Sequence, residues 1–421
     1  MATTTAFGIG DYSNALEKVI QPYIQDNIPS QTKLLQVLKK NDNVQIFNNN
    51  FYAPVRTNRH GGVVNLASDK SSIRTGNAPV NQANVGQKLL TGTFDISDVV
   101  IKSSASNKLA VESAMNFEMT TLKTDFAKNI NRQYMSDGYG VITMVSGSLS
   151  ATTLSVVYPG TGLDDTRAIY YGTQNNDIKP TKYLTPGQAI AIGSAGTALG
   201  TIAASGVNGG SALGTLTLTA TLNAAVAGSQ AIYLVDGDGA GAGTSEIQGI
   251  RLALSEGTAN YAGLARSNDI WSPQYMGTSA SAALSINDME VVYMSAYEYA
   301  QEGDRYAWFM NKSLYTKYGD LLTALRRTVD KMELVSGWSG ISFEAGMGNV
   351  PVMMDYDTPD GEAFLLNLDT WTVCQVADMG FVEDNALRRA DYITFQKVFS
   401  WYTNLLCVCP AANGRMVRRT R

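Results

Sequence analysis

A helix of about 40 Å is predicted between residues 107 and 136, and the rest of the fold has to be built around it. Large apolar side chains recur there every three or four positions, at Met115, Met119, Leu122, Phe126, Ile130 and Tyr134. Ser106 or Asn107 can cap its start, and Gly138 stands where a left-handed helix end is expected. Because the apolar stripe covers only one face, we expect the helix to lie along a sheet.

The chain has 421 residues, which is too many for one ordinary core and favours two or three packed units. A hydrophobic content of 44% with 16% charged residues is typical of globular proteins, and 39 Gly against 11 Pro favour many turns and short strands. The net charge of −5 argues against a large basic surface for nucleic acid. Three cysteines are too few for a disulfide framework, and neither a signal peptide nor a membrane span is found in the sequence, so a soluble protein of a reducing cytoplasm is expected.

The first hundred residues read as an arm followed by an extended loop. Residues 11–26 have helical spacing interrupted by Pro22, and Ser30 can cap a second short helix, so this arm can lie on its own chain or on a neighbour. Two extended segments follow, at 43–55 and 88–102, with apolar residues at roughly alternating positions. The polar linker region between them carries a basic excess, at Arg59, Lys70, Arg74 and Lys88.

Residues 140–250 change to Gly, Ala, Ser and Thr, and short alternating runs such as GTLTLTATLN predict a small all-β unit. Beyond it, 313–332 is predicted as an amphipathic helix, and NVPVMMDY and EAFLLNL as two strands of a hairpin turned by Pro359, Asp360 and Gly361. A final extended run spans 391–410 and ends at Pro410.

Sites for chemistry are poorly supported. His60 is the only histidine, and no nucleophile motif accompanies it; Cys407 and Cys409 have no second pair for zinc and are interpreted as buried thiols. The glycines of DGDGAGAG have the wrong spacing for a dinucleotide loop, and DYDTPDG has Leu366 where a calcium loop needs its bidentate Glu. We therefore predict no enzyme and no catalytic, cofactor or metal site.

Several stretches of the C-terminal half resemble the major capsid proteins of tailed bacteriophages, which have the Hong Kong 97-like fold. YAWFMNKSLYTKYGDLL (306–322) looks like the segment that enters a helix of the family's axial domain. VPVMMDYDTPDGEAFLLNLDTWTVCQV (350–376) is similar to its strand, turn and strand pattern, and RRADYITFQKVFSWYTNLLCVCPAA (388–412) to its closing strand. EGTANYAGLARSNDIWSP (256–273) resembles the segment that returns the chain to the body of the subunit.

The order of the segments agrees with the same family. The resemblance implies an α+β Hong Kong 97-like fold with an inserted small all-β domain, divided as follows: N-terminal arm 1–42, extended β-hairpin loop 43–102, peripheral domain with the spine helix 103–139, inserted domain 140–250, return to the peripheral domain 251–290, and axial domain with closing peripheral strands 291–421.

The implied function is that of a major capsid protein which forms hexamers and pentamers of an icosahedral or prolate shell around double-stranded DNA. The implied location is the virion capsid, assembled in the host bacterial cytoplasm, with a separate scaffolding protein, a portal and a decoration protein as partners, and no membrane. A tail or sheath protein and an encapsulin-type nanocompartment shell remain the alternatives.

Three groups of residues are candidates for roles in such a shell. The basic residues Arg59, Lys70, Arg74 and Lys88 are candidates for contacts with an acidic part of a neighbouring subunit. In the return segment, Trp271 is expected to act as a hydrophobic anchor, with Arg266 and Asp269 satisfying loop backbone or each other. The arginines of the C-terminal tail, Arg415, Arg418, Arg419 and Arg421, either face the DNA or form a solvated basic end.

Overall fold

The computed structural model describes the greater part of the chain from residue 34 onward. The described residues are 34, 37–41, 45–63, 65, 75–97, 108–145, 152–157, 181, 183–184, 186–193, 198–207, 214–220, 230–234, 246–256, 260–267, 269–277, 282–324, 331–333, 339–345, 348–359, 361–382, 387–388 and 394–420. The helix predicted at 11–26 and the caps predicted at Ser106 and Asn107 lie outside these residues.

The described α-helices are α1 (Lys108–Met135), α2 (Ile250–Ala253), α3 (Ile286–Tyr297) and α4 (Lys312–Ala324). The strands are β1 (Lys39–Asn41), β2 (Gln45–Phe47), β3 (Asn50–Arg56), β4 (Val80–Gly86), β5 (Lys88–Ser97), β6 (Val141–Val145), β7 (Thr153–Val157), β8 (Ala189–Ile192), β9 (Ala198–Val207), β10 (Gly214–Leu218), β11 (Ala231–Leu234), β12 (Gln274–Met276), β13 (Ala282–Ala283), β14 (Tyr306–Met310), β15 (Lys331–Glu333), β16 (Ser339–Ala345), β17 (Gly348–Met354), β18 (Ala363–Asn367), β19 (Trp371–Gln375), β20 (Gly380–Phe381), β21 (Leu387–Arg388), β22 (Thr394–Cys407), β23 (Gly414–Met416) and β24 (Arg419–Thr420).

The long helix α1 confirms the prediction from its apolar repeat. Phe126, Ile130 and Tyr134 of the predicted stripe are buried, and Gly138 just beyond the helix has a φ of +80°, as a left-handed helix end requires. The helix packs on β5 so closely that a Cβ atom at Gly92 would lie 2.9 Å from Leu122 Cδ1. α1 therefore covers one face of a sheet.

That sheet, which we call the peripheral sheet, is organised around the long strand β22. β5 runs antiparallel to β22, with register from Lys88 opposite Thr403 to Ser97 opposite Thr394. β19 flanks β22 on its other side, and β1 adds to β19 in parallel. The main core lies between this sheet and α1, where the rings of Phe126 and Phe399 meet edge to face at 4.8 Å.

The extended loop is built differently from the pairing expected of 43–55 with 88–102. β3 pairs along its whole length with β4, which lies in the stretch read as polar linker, whereas 88–97 joins β22 instead. β4 was missed because only Ala83 and Val85 of its residues are buried. β2 completes a three-stranded sheet, which we call the hairpin sheet, through a turn at Asn48 and Asn49 with positive φ at both.

Within 140–250, where short strands are predicted, β6 to β11 form a closed six-stranded barrel in the order β10-β7-β6-β11-β8-β9. Its interior is a separate apolar core with buried side chains from each strand, such as Leu154, Ile190, Ile202 and Ile232. That this barrel is an insertion, and that the six segments have the boundaries given above, stay predictions.

A third unit, the axial sheet, has the order β12-β23-β18-β14-β17-β16-β15, with α3 and α4 contributing to its core. Here the predicted hairpin of β17 and β18 is wrong, because β14 lies between them, parallel to β17 and antiparallel to β18. The predicted turn residues do form a turn, since Gly361 has a φ of +72°. The connection from β17 to β18 is nevertheless long enough to pass β14. The helix predicted over 313–332 is also too long, because residues 331–333 form β15.

Candidate functional site

The return segment carries Trp271, the tryptophan that the sequence predicts to be an anchor. Trp271 is fully buried in a short 3-10 turn (Asp269–Trp271), and its Nε1 donates to the Tyr261 carbonyl at 2.9 Å. The two rings lie 5.9 Å apart between centroids. The Tyr261 hydroxyl in turn accepts from the Cys407 backbone N–H at 2.9 Å, so the segment is fixed to the end of β22.

The turn next to Tyr261 also holds the hairpin sheet. The Asn84 backbone N–H of β4 donates to the Ala262 carbonyl at 2.8 Å. Gly263 has a φ of +78°, which favours glycine, and a Cβ atom there would lie 2.6 Å from Asn84 Oδ1, so a larger residue would have to displace the Asn84 side chain. Trp271 therefore acts through Tyr261 on both β22 and the root of the extended loop, a link that no local pattern in the sequence indicates.

Arg266 satisfies loop backbone, which is one of the two predicted possibilities. Its NH2 donates to the Leu252 carbonyl at 2.7 Å and to Ser255 Oγ at 3.2 Å. The guanidinium also lies 5.4 Å from the centre of the Tyr261 ring, a cation–π contact. Burial lowers the pKa of Arg266. The side chain of Asp269 is outside the described residues, so its predicted role stays a prediction.

A network of buried charges, which we call the junction network, joins α1, α2 and the axial sheet. Glu362 accepts from Arg251, with Nε at 3.2 Å and NH2 at 3.0 Å, and from Arg415, with Nε at 3.0 Å and NH2 at 3.1 Å. These three side chains are each 1% exposed. Asp137, just past the end of α1, adds a second carboxylate 3.8 Å from Arg251 NH1.

Glu362, the carboxylate that both guanidinium groups share, is what makes this network tolerable, since a buried charge without a partner is costly. Burial raises the pKa of Asp137, and the positive charge of Arg251 opposes that rise only in part. The four residues lie far apart in the sequence, and none belongs to a recognisable motif. They position the return segment and the axial sheet on the spine helix, and sequence reasoning missed this role.

The C-terminal arginines require a correction. Arg415 is buried in the junction network, and Arg419 is 3% exposed, with NH1 2.6 Å from Asp288 Oδ2 of α3. Neither guanidinium is placed to bind DNA phosphates, because each is already paired with a carboxylate inside the subunit. Arg418 is partly buried with a φ of 58°, and Arg421 lies outside the described residues.

Of the basic residues predicted for neighbour contacts, the two that are described, Arg59 and Lys88, lie in different parts of the fold. Arg59 is exposed beyond β3 and lines a cleft of about 560 Å³ whose lining also includes Asp304 and Asp369. Lys88 instead begins β5 in the peripheral sheet, where burial lowers its pKa. Lys70 and Arg74 lie outside the described residues.

The thiols are placed for packing. Cys374 and Cys407 are buried, whereas Cys409, which was also predicted to be buried, is only partly so. Burial raises the pKa of Cys374 to about 12, which keeps its thiol protonated at neutral pH. No helix among the described residues is long and apolar enough to cross a membrane.

Comparison of the structure with solved structures identifies the fold. A chain of the cyanophage A-1(L) capsid asymmetric unit superposes with a TM-score of 0.52 at 12% identity, covering 93% of each chain. A capsid chain of the native GTA particle, computed with C5 symmetry, has a TM-score of 0.43 at 11% identity and covers 100% of this chain and 95% of its own. A chain of the holo-SrpI encapsulin complex from Synechococcus elongatus PCC 7942 has a TM-score of 0.28 at 13% identity, covering 35% and 53%.

Of these three chains, the cyanophage capsid chain has a TM-score above 0.5, and the fold is assigned from that superposition. No protein-family model and no curated protein matches the sequence. The chain has an α+β fold of the Hong Kong 97-like capsid type, and the resemblance to tailed-phage capsid proteins is confirmed at the level of the fold.

Proposed function

We propose that this protein is the major capsid protein of a tailed phage, a structural and non-enzymatic subunit that assembles into hexamers and pentamers of a closed shell around double-stranded DNA. The observation that carries the proposal is the capsid fold shared over 93% of the chain. Negative-stain electron microscopy of the purified protein tests it. Closed shells are expected; tubes or rings would favour a tail or sheath protein, and shells that form only around a cargo protein would favour an encapsulin-type compartment.

The exposed apolar residues of the hairpin sheet support self-assembly. Phe47 is 73% exposed and Val80 63%, and both lie on the hairpin sheet, whose strand β4 is hydrogen-bonded to the body of the chain at Asn84. Burying such side chains against a neighbour is favourable by about 25 cal/mol per Å² of apolar surface removed from water. An interface of standard size, about 1,500 Å², is therefore sufficient to hold two subunits together after the cost of association. Weak individual contacts repeated around a shell allow wrong contacts to be undone.

A single chain that forms both hexamers and pentamers needs a head-to-tail contact that closes a ring. A separate scaffolding protein, a portal and a decoration protein complete the proposed assembly in the bacterial cytoplasm. DNA contact at the inner face is non-specific in this proposal. Since Arg415 and Arg419 are paired inside the subunit, the proposed contacts of the C-terminal tail are reduced to Arg418 and Arg421.

Reversing the charge of the extended loop is expected to stop assembly. In the double variant Arg59→Glu/Arg74→Glu, an attraction to an acidic part of the neighbour becomes repulsion, which slows association and opposes the correct contact. Sedimentation velocity at low salt should show free subunits or small oligomers in place of shells. Raising the salt concentration should weaken the difference, since the Debye length falls from about 10 Å at 0.1 M to about 3 Å at 1 M.

The control is Lys128→Glu, a single charge reversal on the exposed surface of α1, where the side chain is 71% exposed. This variant is expected to assemble. Normal shells from the Arg59/Arg74 double variant would contradict the proposed contact without contradicting the capsid function.

A further inference from the structure

The barrel of β6 to β11 is packed and hydrogen-bonded as a unit of its own. Each of its strands pairs with two other strands of the barrel, and none of them pairs with another strand that the structure describes. Its interior, which includes Leu154, Ile202 and Ile232, is an apolar core distinct from the main core beside α1. The barrel therefore depends on its own strands for its core and its hydrogen bonds.

The chain enters the barrel through a short connection, residues 138–140, which we call the barrel link. Gly138 and Gly140 have φ values of +80° and +71°, and β6 begins directly afterwards at Val141. The returning connection after β11 carries four further glycines in the sequence, at positions 237, 239, 241 and 243. Both connections are thus rich in the residue with the widest range of backbone conformations, so their sequences alone do not fix the angle of the barrel.

Tyr183, which lies between β7 and β8, joins the barrel to the body of the subunit. Its ring packs against the barrel core, and its hydroxyl donates to Asp357 Oδ1 at 2.7 Å, in the loop that follows β17 of the axial sheet. The guanidinium of Arg132 on α1 lies 5.9 Å from the centre of the same ring, a cation–π contact. One barrel side chain therefore meets both α1 and the axial sheet.

Both partners of Tyr183 are held in place by other residues. Asn131 of α1 donates its Nδ2 to Asp357 Oδ2 at 2.7 Å, so the carboxylate is fixed to the helix. Arg132 is 7% exposed, and its NH1 donates to Glu246 Oε2 at 3.1 Å, just before the chain rejoins α1. A ring and a hydroxyl that meet two fixed groups have one position, and this position sets the angle of the barrel.

We infer that Tyr183 is the residue that holds the barrel at a fixed angle, and that without its hydrogen bond to Asp357 the barrel turns about the barrel link. A hydrogen bond to a charged group changes such an equilibrium by about tenfold to a hundredfold, which favours the attached state and leaves the turned state populated. The contact lies within one chain, so it holds whether or not the protein forms shells.

Pulsed electron paramagnetic resonance on the purified full-length protein measures the barrel angle as a distance between two spin labels. Lys128→Cys on α1 and Thr217→Cys on β10 place the labels at exposed positions, with Cys409→Ser removing the partly exposed native thiol. Dilution with unlabelled protein restricts the measurement to distances within one chain. The protein with Tyr183 intact should show one narrow distance. Tyr183→Phe keeps the ring but removes the hydroxyl, and should raise the population at other distances by about tenfold.

A second variant tests the acceptor of the same hydrogen bond. Asp357→Ala should also raise the population at other distances. The double variant Tyr183→Phe/Asp357→Ala should show no more of these distances than Asp357→Ala alone, since both changes remove one shared contact. The matched control is Tyr402→Phe, which removes the hydroxyl of a 43% exposed tyrosine on the peripheral sheet and should leave the distance unchanged.

Hydrogen exchange separates a turned barrel from an unfolded one. The backbone amides of Val145 and Gly193 donate across the barrel to Gln230 and Ala231, and they should keep their protection in Tyr183→Phe. Loss of that protection would overturn the inference, because Tyr183 would then be needed for the barrel itself. The inference is also overturned if either single variant, with its barrel amides protected, keeps the distance distribution of the unsubstituted protein.

Discussion

Replacing Glu362 with Gln is expected to lower the free energy of unfolding by about 3–5 kcal/mol, because it leaves two buried guanidinium groups without their shared carboxylate. Arg251 and Arg415 are each 1% exposed, so water cannot take over the role of Glu362. The loss is a large part of the 5–15 kcal/mol that stabilises a typical domain. Urea unfolding, monitored by tryptophan fluorescence, measures this loss in the free energy of unfolding. If the variant is only partly folded, limited proteolysis of the soluble fraction shows the loss of stability instead.

Two controls separate the pairing from a general loss of charge. Glu302→Gln removes an exposed carboxylate of the axial part and should change stability by less than about 0.5 kcal/mol. Asp137→Asn removes the other carboxylate of the junction network but should be neutral or stabilising at pH 7. An unfolding midpoint of Glu362→Gln equal to that of the unsubstituted protein would contradict the role assigned to the network.

The sign of the Asp137 effect follows from its pKa. Burial raises the pKa of Asp137, so the folded state holds this proton more tightly than the unfolded state and the ionised form costs stability. That cost is absent below the ordinary pKa of an Asp carboxyl, about 3.9, and appears as the pH rises through the folded pKa. Any advantage of Asp137→Asn over the unsubstituted protein should therefore be present at pH 7 and disappear as the pH falls toward 4.

Truncating Trp271 to Ala is expected to cost about 3–5 kcal/mol, since the side chain is fully buried in the main core. Trp271→Phe should cost less, because it keeps most of the apolar contact and removes one of the two hydrogen bonds that the Tyr261 carbonyl accepts, the other coming from the Leu264 backbone N–H; the lost hydrogen bond is worth about 0.5–1.5 kcal/mol. Differential scanning calorimetry of both variants gives the order of their stabilities.

Met294→Ala, which shortens a 43% exposed side chain on α3, is the matched control and should stay within about 0.5 kcal/mol. Hydrogen exchange adds a readout specific to this segment. Loss of the Trp271 contact should expose the Asn84 amide, which donates to the neighbouring turn, before amides in the barrel exchange. Equal protection at Asn84 in Trp271→Ala would show that Trp271 does not position the hairpin sheet.

Local patterns predicted the parts of the fold that depend on neighbours in the sequence. The apolar repeat of α1 and the helix end at Gly138 were predicted correctly because a helix is specified by residues three and four positions apart. The strand character of β5 and β22 was also visible. Their pairing was not, because the partner residues, such as Lys88 and Thr403, are separated by most of the chain and alternation does not say which strand lies opposite.

Because local patterns do not show which distant residues meet, the sequence predicted some residues of the candidate site and missed others. A tryptophan in a segment without helical or strand period already predicted an anchor at Trp271, since a large aromatic in a loop needs a buried place. Glu362 gave no such signal, because it follows a turn glycine at the start of a predicted strand and looks like an ordinary surface acid. The Pro359–Gly361 turn suggested a hairpin, yet turn residues fix only the direction of the chain and leave room for β14 between the two strands.

Cryo-electron microscopy of the particles formed by the purified chain tests the central claim most directly. The account predicts closed shells built of hexamers and pentamers, in which the hairpin sheet of each copy is covered by a neighbour and Phe47 and Val80 lose their exposure. Tubes, open rings, or monomers that keep the hairpin sheet exposed at all concentrations would contradict it.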